Sequence, residues 1–382
     1  MLFASGEKNN PPWKKSWANM RNINIWKMML FFKLLIITII SFWYNVERRT
    51  TFCTCASTNQ SLDTMNLKNR MPSINDCAFE PTGMWTVEPS GRLGNLIGQY
   101  ATLYAFAKRH GHQAYILPNM HSALSKIFKI KLPVINEEVA KRIPWRKFGM
   151  YNEWMSEEYY NIIGDFVKLS GYPFSWTFYH HIKDEILKEF TFHDFIREES
   201  NAYLADIRGN KTNTTFVGIH VRRGDYVNIM GNSKKGVLAD KEYLQKAMGY
   251  FRKKYKNPLF VVTSNGIDWC KSNINNSLGD VYFLGDGKEG SPSRDFALLV
   301  HCNHTIMTIG TFGLYAAYLT GGETIYLANY TLPDYYHGVG WKYETIYLPE
   351  WIGIPADLTP ILKKNLTERS SVKVNVSQTA II

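Results

Sequence analysis

The sequence contains no Asp-x-Asp pair and few cysteines. The first absence removes the spaced carboxylates that hold Mn²⁺ in many enzymes acting on nucleotide sugars, so no metal site is expected. Zinc-type Cys spacing, His-Glu-x-x-His, a Walker loop and Gly-x-Ser-x-Gly are missing too, which argues against zincins, P-loop nucleotidases and α/β-hydrolases. The 5 cysteines (Cys53, Cys55, Cys77, Cys270 and Cys302) are an odd number, so one stays unpaired or joins two chains. Cys53 and Cys55 could link a homodimer. Acidic residues are outnumbered, 33 Asp+Glu against 44 Lys+Arg, for a net charge of +11. Such a charge suits a nucleic-acid binder, a membrane-surface protein or an enzyme of anionic substrates, and its distribution decides among them. Glycine and proline are not in excess and aromatics reach 14%, which excludes wholesale disorder and a collagen-like fibre.

More than half of the excess charge lies in the first 49 residues. Residues 1–27, expected as a cytosolic tail, carry Lys8, Lys14, Lys15, Arg21 and Lys27 against Glu7. The apolar run at 28–44 reads as a transmembrane signal anchor. Counted from Ile25 to Tyr44 it has 20 residues, or about 30 Å of helix, enough to cross a bilayer core. Lys33 can snorkel to the nearer interface, and Trp26, Trp43 and Tyr44 suit the interfacial belts. A cleaved signal peptide would have a shorter apolar stretch and a small-residue cleavage site, and a core helix would not need basic flanks. The basic tail should stay cytosolic, placing residues 45–382 in the lumen as a single-pass type II protein. Seven Asn-x-Ser/Thr sequons agree with lumenal exposure, at Asn59, Asn213, Asn275, Asn303, Asn329, Asn365 and Asn375. Asn303 and Asn329 lie close to expected strands. Basic residues are not clustered in the lumenal part, so no nucleic-acid partner is expected.

Residues 45–80 are polar and lack apolar periodicity, which reads as a stem. Two α/β domains are expected to follow, at 84–210 and 211–362, with a loose tail at 363–382. The second half alternates expected strands and helices. The strands are Phe216–Val221, Leu259–Thr263, Val281–Leu284, Thr305–Ile309 and Thr324–Leu327. Between them come a helix capped by Asp240 and running through to Tyr255, a short one near Trp269, and helices over Ser293–Val300 and Phe312–Leu319. The first half is less regular, with a helix over Gly94–Arg109 and a strand over Ala114–Leu117. Short apolar runs alternating with helices argue for a parallel, doubly wound sheet.

His220-Val-Arg-Arg-Gly-Asp-Tyr226 sits at the carboxyl end of an apolar strand, where open α/β sheets bind ligands. Arg222 and Arg223 offer forked donors for a pyrophosphate, Gly224 a sharp turn and Asp225 a partner for one guanidinium. A solvated basic turn with an internal Arg–Asp pair is the plainer reading. Around Gly310, Thr311, Phe312 and Gly313 an expected strand gives way to a helix. Free N–H groups and the Thr311 hydroxyl could cradle a phosphate there, though such glycines also serve tight packing. Asp295 begins a helix, either as its N-cap or as a carboxylate accepting two N–H bonds from a guanine edge. Gly285-Asp-Gly-Lys-Glu-Gly290 fits the dinucleotide pattern, but Phe296–Gly322 holds no acidic residue to read a ribose. Gly91-Arg-Leu-Gly-Asn-Leu-Ile-Gly98 is a second cleft-facing loop, with Arg92 and Asn95 as its polar ends. The aromatic block Tyr172–His181 could stack a sugar face or fill core.

The runs His220–Tyr226, Ser291–Leu299 and Cys302–Gly313 resemble the galactoside α-1,2-fucosyltransferases of the vertebrate H/secretor type. The resemblance also covers Gly91–Asn95, Trp176–His181, Phe260–Asn265, Leu319–Gly322 and Thr324–Pro333, and is near-continuous from Met84 to Leu362. It implies a GT-B fold of two Rossmann-like domains facing a cleft. It also implies GDP-L-fucose as donor and an inverting transfer, without metal or cofactor, to O2 of a terminal β-galactose on glycoproteins and glycolipids. The implied location is the Golgi cisterna membrane. By that pattern Arg222 stabilises the leaving β-phosphate, Arg223 assists, His220 lies near the nucleoside and Asp295 reads guanine. The turn Gly310–Gly313 takes phosphate, Asp225, Arg92 and Asn95 join the donor side, and Trp176 and His181 the acceptor side. Leu96 departs from the pattern, since many relatives have Gln there. The alternatives are transfer to another hydroxyl, or a membrane-anchored lectin, against which the intact Arg222, Arg223 and Asp295 argue.

Overall fold

The computed structural model describes residues 83–151, 154–284, 292–333 and 342–364. The anchor at 28–44, the stem at 45–80 with Cys53, Cys55 and Cys77, the Gly285–Gly290 loop, and Asn59, Asn365 and Asn375 lie outside the described residues. Among the described residues no helix is long and apolar enough to cross a membrane.

Two all-parallel sheets carry the fold. The first consists of β1 (Met84–Val87), β2 (Gln113–Ala114), β3 (Arg146–Gly149) and β4 (Phe166–Ser170), in the order β2-β1-β4-β3. The second consists of β5 (Thr214–Val221), β6 (Asn257–Ser264), β7 (Val281–Phe283), β8 (His304–Met307), β9 (Thr324–Ala328) and β10 (Ile352–Pro355), in the order β10-β9-β8-β5-β6-β7. Each parallel step needs a crossover, and the crossovers here are largely helical. They include α1 (Leu93–His110), α2 (Asp194–Arg208), α3 (Tyr226–Asn232), α4 (Lys241–Lys254), α5 (Ile267–Asn273), α6 (Pro292–Val300) and α7 (Thr311–Thr320).

The second sheet follows from its sequence. Phe216 to Val221 and Pro258 to Ser264 are buried throughout, because strands covered on both faces need apolar side chains at every position. Asp240 caps α4 as expected, its carboxylate accepting the Tyr243 N–H at 2.7 Å. Two expected strands are shorter in the structure. The ladder of β8 ends at Met307, and that of β2 at Ala114, since Pro118 already opens a helical turn. β1, β3, β4 and β10 carry no clear strand signal in the sequence. β3 is a partly exposed edge strand that starts Arg-Lys, and β4 alternates buried and half-buried residues around Lys168.

α1 and α7 pack against each other and join the sheets through one core. That core runs from Trp85 and Val167 through Phe106 and Ala317 to Phe296, Leu299 and Met307. On the other face of the second sheet, Leu244 and Phe251 of α4 cover Val217 and Ile219. Each such side chain contributes about 1.5–3 kcal/mol relative to exposure. α1 stops at Gly111, whose φ of 74° suits glycine, and Lys108, Arg109 and His110 complement the dipole in its last turn. Cys270 and Cys302 are buried free thiols.

Candidate functional site

Strand order places the site. In the second sheet the chain runs from β5 outward to β6 and β7, then returns to β8 on the other flank of β5. The carboxyl ends of β5 and β8 therefore frame a topological switch point, where a crevice opens between diverging crossovers. In the first sheet β2 and β4 flank β1, making a second such point. The loops leaving β1, β4, β5 and β8 all line one cavity of about 800 Å³.

Arg222, the first residue beyond β5, enters this cavity. Its Nη2 donates to Asp225 Oδ1 at 2.5 Å, and its guanidinium lies 5.0 Å from the centre of the Tyr226 ring. The backbone here has left the sheet ladder and is held by side chains from both neighbouring strands. Ser264 Oγ donates to the Val221 carbonyl at 2.7 Å, the Arg222 N–H donates to Thr308 Oγ1 at 2.9 Å, and the Arg223 N–H donates to Asn265 Oδ1 at 2.8 Å. Thr308 is fully buried. Thr308→Val should remove the acceptor of the half-buried Arg222 N–H, at about 1 kcal/mol, and lower kcat about tenfold by tilting Arg222. Thr308→Ser should keep near-normal rates. Steady-state kinetics of the two variants checks this, and equal rates would disprove the positioning role.

The two arginines part at this turn. Arg223 does not line the cavity; its guanidinium stacks 3.9 Å from the centre of the Trp269 ring on α5. The expected second phosphate ligand is thus turned away, since successive residues of an extended chain point to opposite sides. It supports the turn from behind.

Beside Arg222, α1 and α7 begin side by side. Neither N-cap residue, Arg92 or Gly310, caps its helix with a side chain, and the positive ends of both helix dipoles lie beside the cavity. A Cβ on Gly94 would lie 2.6 Å from the Phe312 nitrogen, so only glycine permits this approach. The Thr311 hydroxyl donates to Asn95 Oδ1 at 2.8 Å. Its proton therefore ties the two loops together, which corrects the expectation of a free donor for phosphate. Gly310 has φ 92° and terminates the extended chain before α7. Gly313 serves packing, since a Cβ there would sit 2.6 Å from His220 Nδ1.

His220 is buried, lines the cavity, and has an Nδ1 without a hydrogen-bond partner. Burial, and secondarily Arg222, push its pKa down to about 3, so the ring is neutral near pH 7. Below pH about 6.5 the unfolded chain takes up a proton that the folded one refuses. This contribution to stability is present above pH 6.5 and is lost as pH falls toward 3. Thermal melts from pH 7 to 4 should show a smaller loss of Tm for His220→Gln than for the native chain.

Arg92, Asn95, Asp225, Asp295 and Phe312 also line the cavity, as does Lys234, which no motif signalled. Asp295 lies within the first turn of α6 and not ahead of it, so the N-cap reading fails. The acceptor-side expectations are corrected. Trp176 is absent from the cavity wall; its Nε1 donates to the carbonyls of Glu344 and Tyr347 at 3.2 and 3.1 Å, bracing the cavity residues Ile346 and Tyr347 from behind. His181 contacts Arg109 Nη2 at 3.2 Å, at the far end of α1. Fourteen residues separate Arg109 from Asn95, about 21 Å at the helical rise. Asn213, Asn275, Asn303 and Asn329 are exposed, and Asn303 Oδ1 accepts the Phe216 N–H at 2.8 Å. No three metal-ligating side chains cluster among the described residues.

The profile of glycosyl transferase family 11 matches residues 50–355. Galactoside alpha-(1,2)-fucosyltransferase 2 of Rattus norvegicus is 59% identical over 285 residues, covering 74% of this chain and 80% of that protein. The protein of the same name from Sus scrofa is 58% identical over 282 residues, covering 74% and 83%. A crystal structure of NodZ alpha-1,6-fucosyltransferase soaked with GDP-fucose is 15% identical, with a TM-score of 0.41 over 62% of this chain and 92% of that one. The chain belongs to glycosyl transferase family 11, the family of the galactoside α-(1,2)-fucosyltransferases that it matches.

Proposed function

We propose that this chain transfers L-fucose from GDP-β-L-fucose to O2 of a terminal β-galactose, with inversion and without a metal ion. The observation that carries the reading is Arg222 at the β5/β8 switch point, lining one cavity together with Arg92 and Gly310, the N-cap residues of α1 and α7. The galactose hydroxyl attacks C1 of fucose from the face opposite the diphosphate. The C1–O bond breaks, its electron pair passes to the β-phosphate, the hydroxyl proton goes to solvent or a weak base, and the β-linkage becomes α. Negative charge thus grows on the β-phosphate oxygen. Arg222 and helix N–H groups aimed there stabilise it, a kind of contribution worth about 3–4 kcal/mol per donor. Arginine suits the task because it stays charged and forks onto two oxygens. Asp225 holds that fork, and Asp295 accepts from the guanine edge. The two sheets make a GT-B arrangement, anchored in the Golgi membrane in type II orientation by residues 28–44.

The test uses the full-length chain in detergent with GDP-fucose and a panel of β-galactosides. Label should pass to the galactoside with and without EDTA. Loss of transfer on chelation would refute the metal-free mechanism, and failure with every β-galactoside would refute the acceptor. Asp295→Asn should cost at least tenfold in affinity for GDP while leaving that for UDP unchanged, measured by calorimetry; retention of the GDP preference would remove the guanine role.

A further inference from the structure

We infer that Tyr172 is the platform on which the acceptor galactose stacks, an inference that rests on the function proposed above. The residues that suit a nucleoside diphosphate are drawn mostly from the second sheet's loops. Arg222 and Asp225 follow β5, the N-terminus of α7 follows β8, and Asp295 lies in α6. The first sheet supplies the Gly91–Asn95 loop and, beyond β4, Tyr172 and Phe174. Of the large apolar and aromatic side chains exposed among the described residues, Tyr172, at 50%, is the one that lines the cavity. The other cavity aromatics, such as Phe174, Phe312 and Tyr347, are half-buried or buried. An aromatic face left open at the mouth of a polar site is where a sugar arriving from solvent can dock.

Tyr172 is also held in place. Its hydroxyl hydrogen-bonds Ser90 Oγ at 2.8 Å, across the gap between the β1 and β4 loops. Behind it the fully buried Gln99 of α1 accepts the Ser90 N–H at 3.1 Å and donates to the Gly171 carbonyl at 2.8 Å. Both loops at the first sheet's switch point are thus pinned to one side chain, and the ring loses little freedom when a ligand arrives. The fit to the ligand is chemical. Galactose, with its axial O4, presents the C–H bonds of C3, C4 and C5 on one face. That patch matches a flat ring, while the equatorial O2 projects from the sugar's edge and remains free to react.

The experiment compares the full-length native chain with Tyr172→Ala, Tyr172→Trp and Ser90→Ala, varying a β-galactoside and GDP-fucose separately. Tyr172→Ala should raise KM for the galactoside about tenfold, about 1.4 kcal/mol, and leave KM for GDP-fucose unchanged. Tyr172→Trp should restore acceptor KM, and Ser90→Ala should raise it two- to threefold through a looser ring. An unchanged acceptor KM in Tyr172→Ala, or an equal rise for donor and acceptor, overturns the assignment while the fucosyltransferase reading stands. A native chain that fucosylates no β-galactoside overturns both.

Discussion

Arg222→Lys should lower kcat by about 10²–10³, the usual cost of removing one preorganised donor from a developing oxyanion. Lysine keeps the positive charge but loses the planar fork, and the fork is what this site uses. One arm of Arg222 meets Asp225 at 2.5 Å, the ring of Tyr226 supports the plane at 5.0 Å, and the side chain lines the cavity. An ammonium at the end of a flexible stem cannot satisfy the carboxylate and two phosphate oxygens together. The fold should survive, because the bond that holds the turn runs from the Arg222 backbone to Thr308 and does not involve the side chain. Kinetics and a melting curve on the same preparation check this. The expected pattern is a collapsed kcat beside an unchanged Tm, and near-normal turnover would remove the phosphate role.

Gly94→Ala should damage both the fold and the site with a single methyl. The added Cβ would stand 2.6 Å from both the Phe312 nitrogen and the Thr311 carbonyl carbon, and 2.7 Å from Thr311 Oγ1. Backbone atoms cannot rotate aside as a side chain can, so α1 and α7 must separate, stretching the Asn95–Thr311 bond. Overpacking of this kind costs about 1–3 kcal/mol, a fall in Tm of about 5 °C for a domain of this size. The two helix N-termini would also move apart at the point where the phosphate is to bind, so kcat/KM should fall more than tenfold. Gly249→Ala, in α4 with nothing within 4 Å of a Cβ, is the control and should be neutral or slightly stabilising. Similar melting temperatures for the two variants would mean that the junction is not tight.

Much of the second sheet can be read from the sequence for a physical reason. β5, β6, β8 and β9 lie in the interior, so each appears as an apolar run with no need for alternation. The first sheet hides its strands. β3 exposes Arg146 and Lys147, and β4 carries a half-buried Lys168, so neither resembles a strand from a buried sheet. The sequence brings cavity residues into view where they follow a strand end or open a helix: Arg222, Asp225, Arg92, Asn95 and the Gly310–Phe312 turn all meet in the cavity. Arg223 shows the limit of that reasoning. Whether a side chain beyond a strand end faces the cleft or the flank depends on the turn's path, and the aromatic that captures it, Trp269, lies 46 positions further on. His181 shows another limit. It belongs to the same aromatic block as Tyr172, but packing against the far end of α1 carries it away from the site.

The most direct measurement is the structure of the product. Full-length chain, GDP-fucose and a β-galactoside should yield a single fucosylated product. Its NMR spectrum should show an α-fucosyl anomeric proton and a through-bond correlation from fucose C1 to galactose O2-bearing C2. A β-anomer would contradict inversion from GDP-β-L-fucose, and a linkage to any other galactose carbon would contradict the proposed orientation of the acceptor in the cavity.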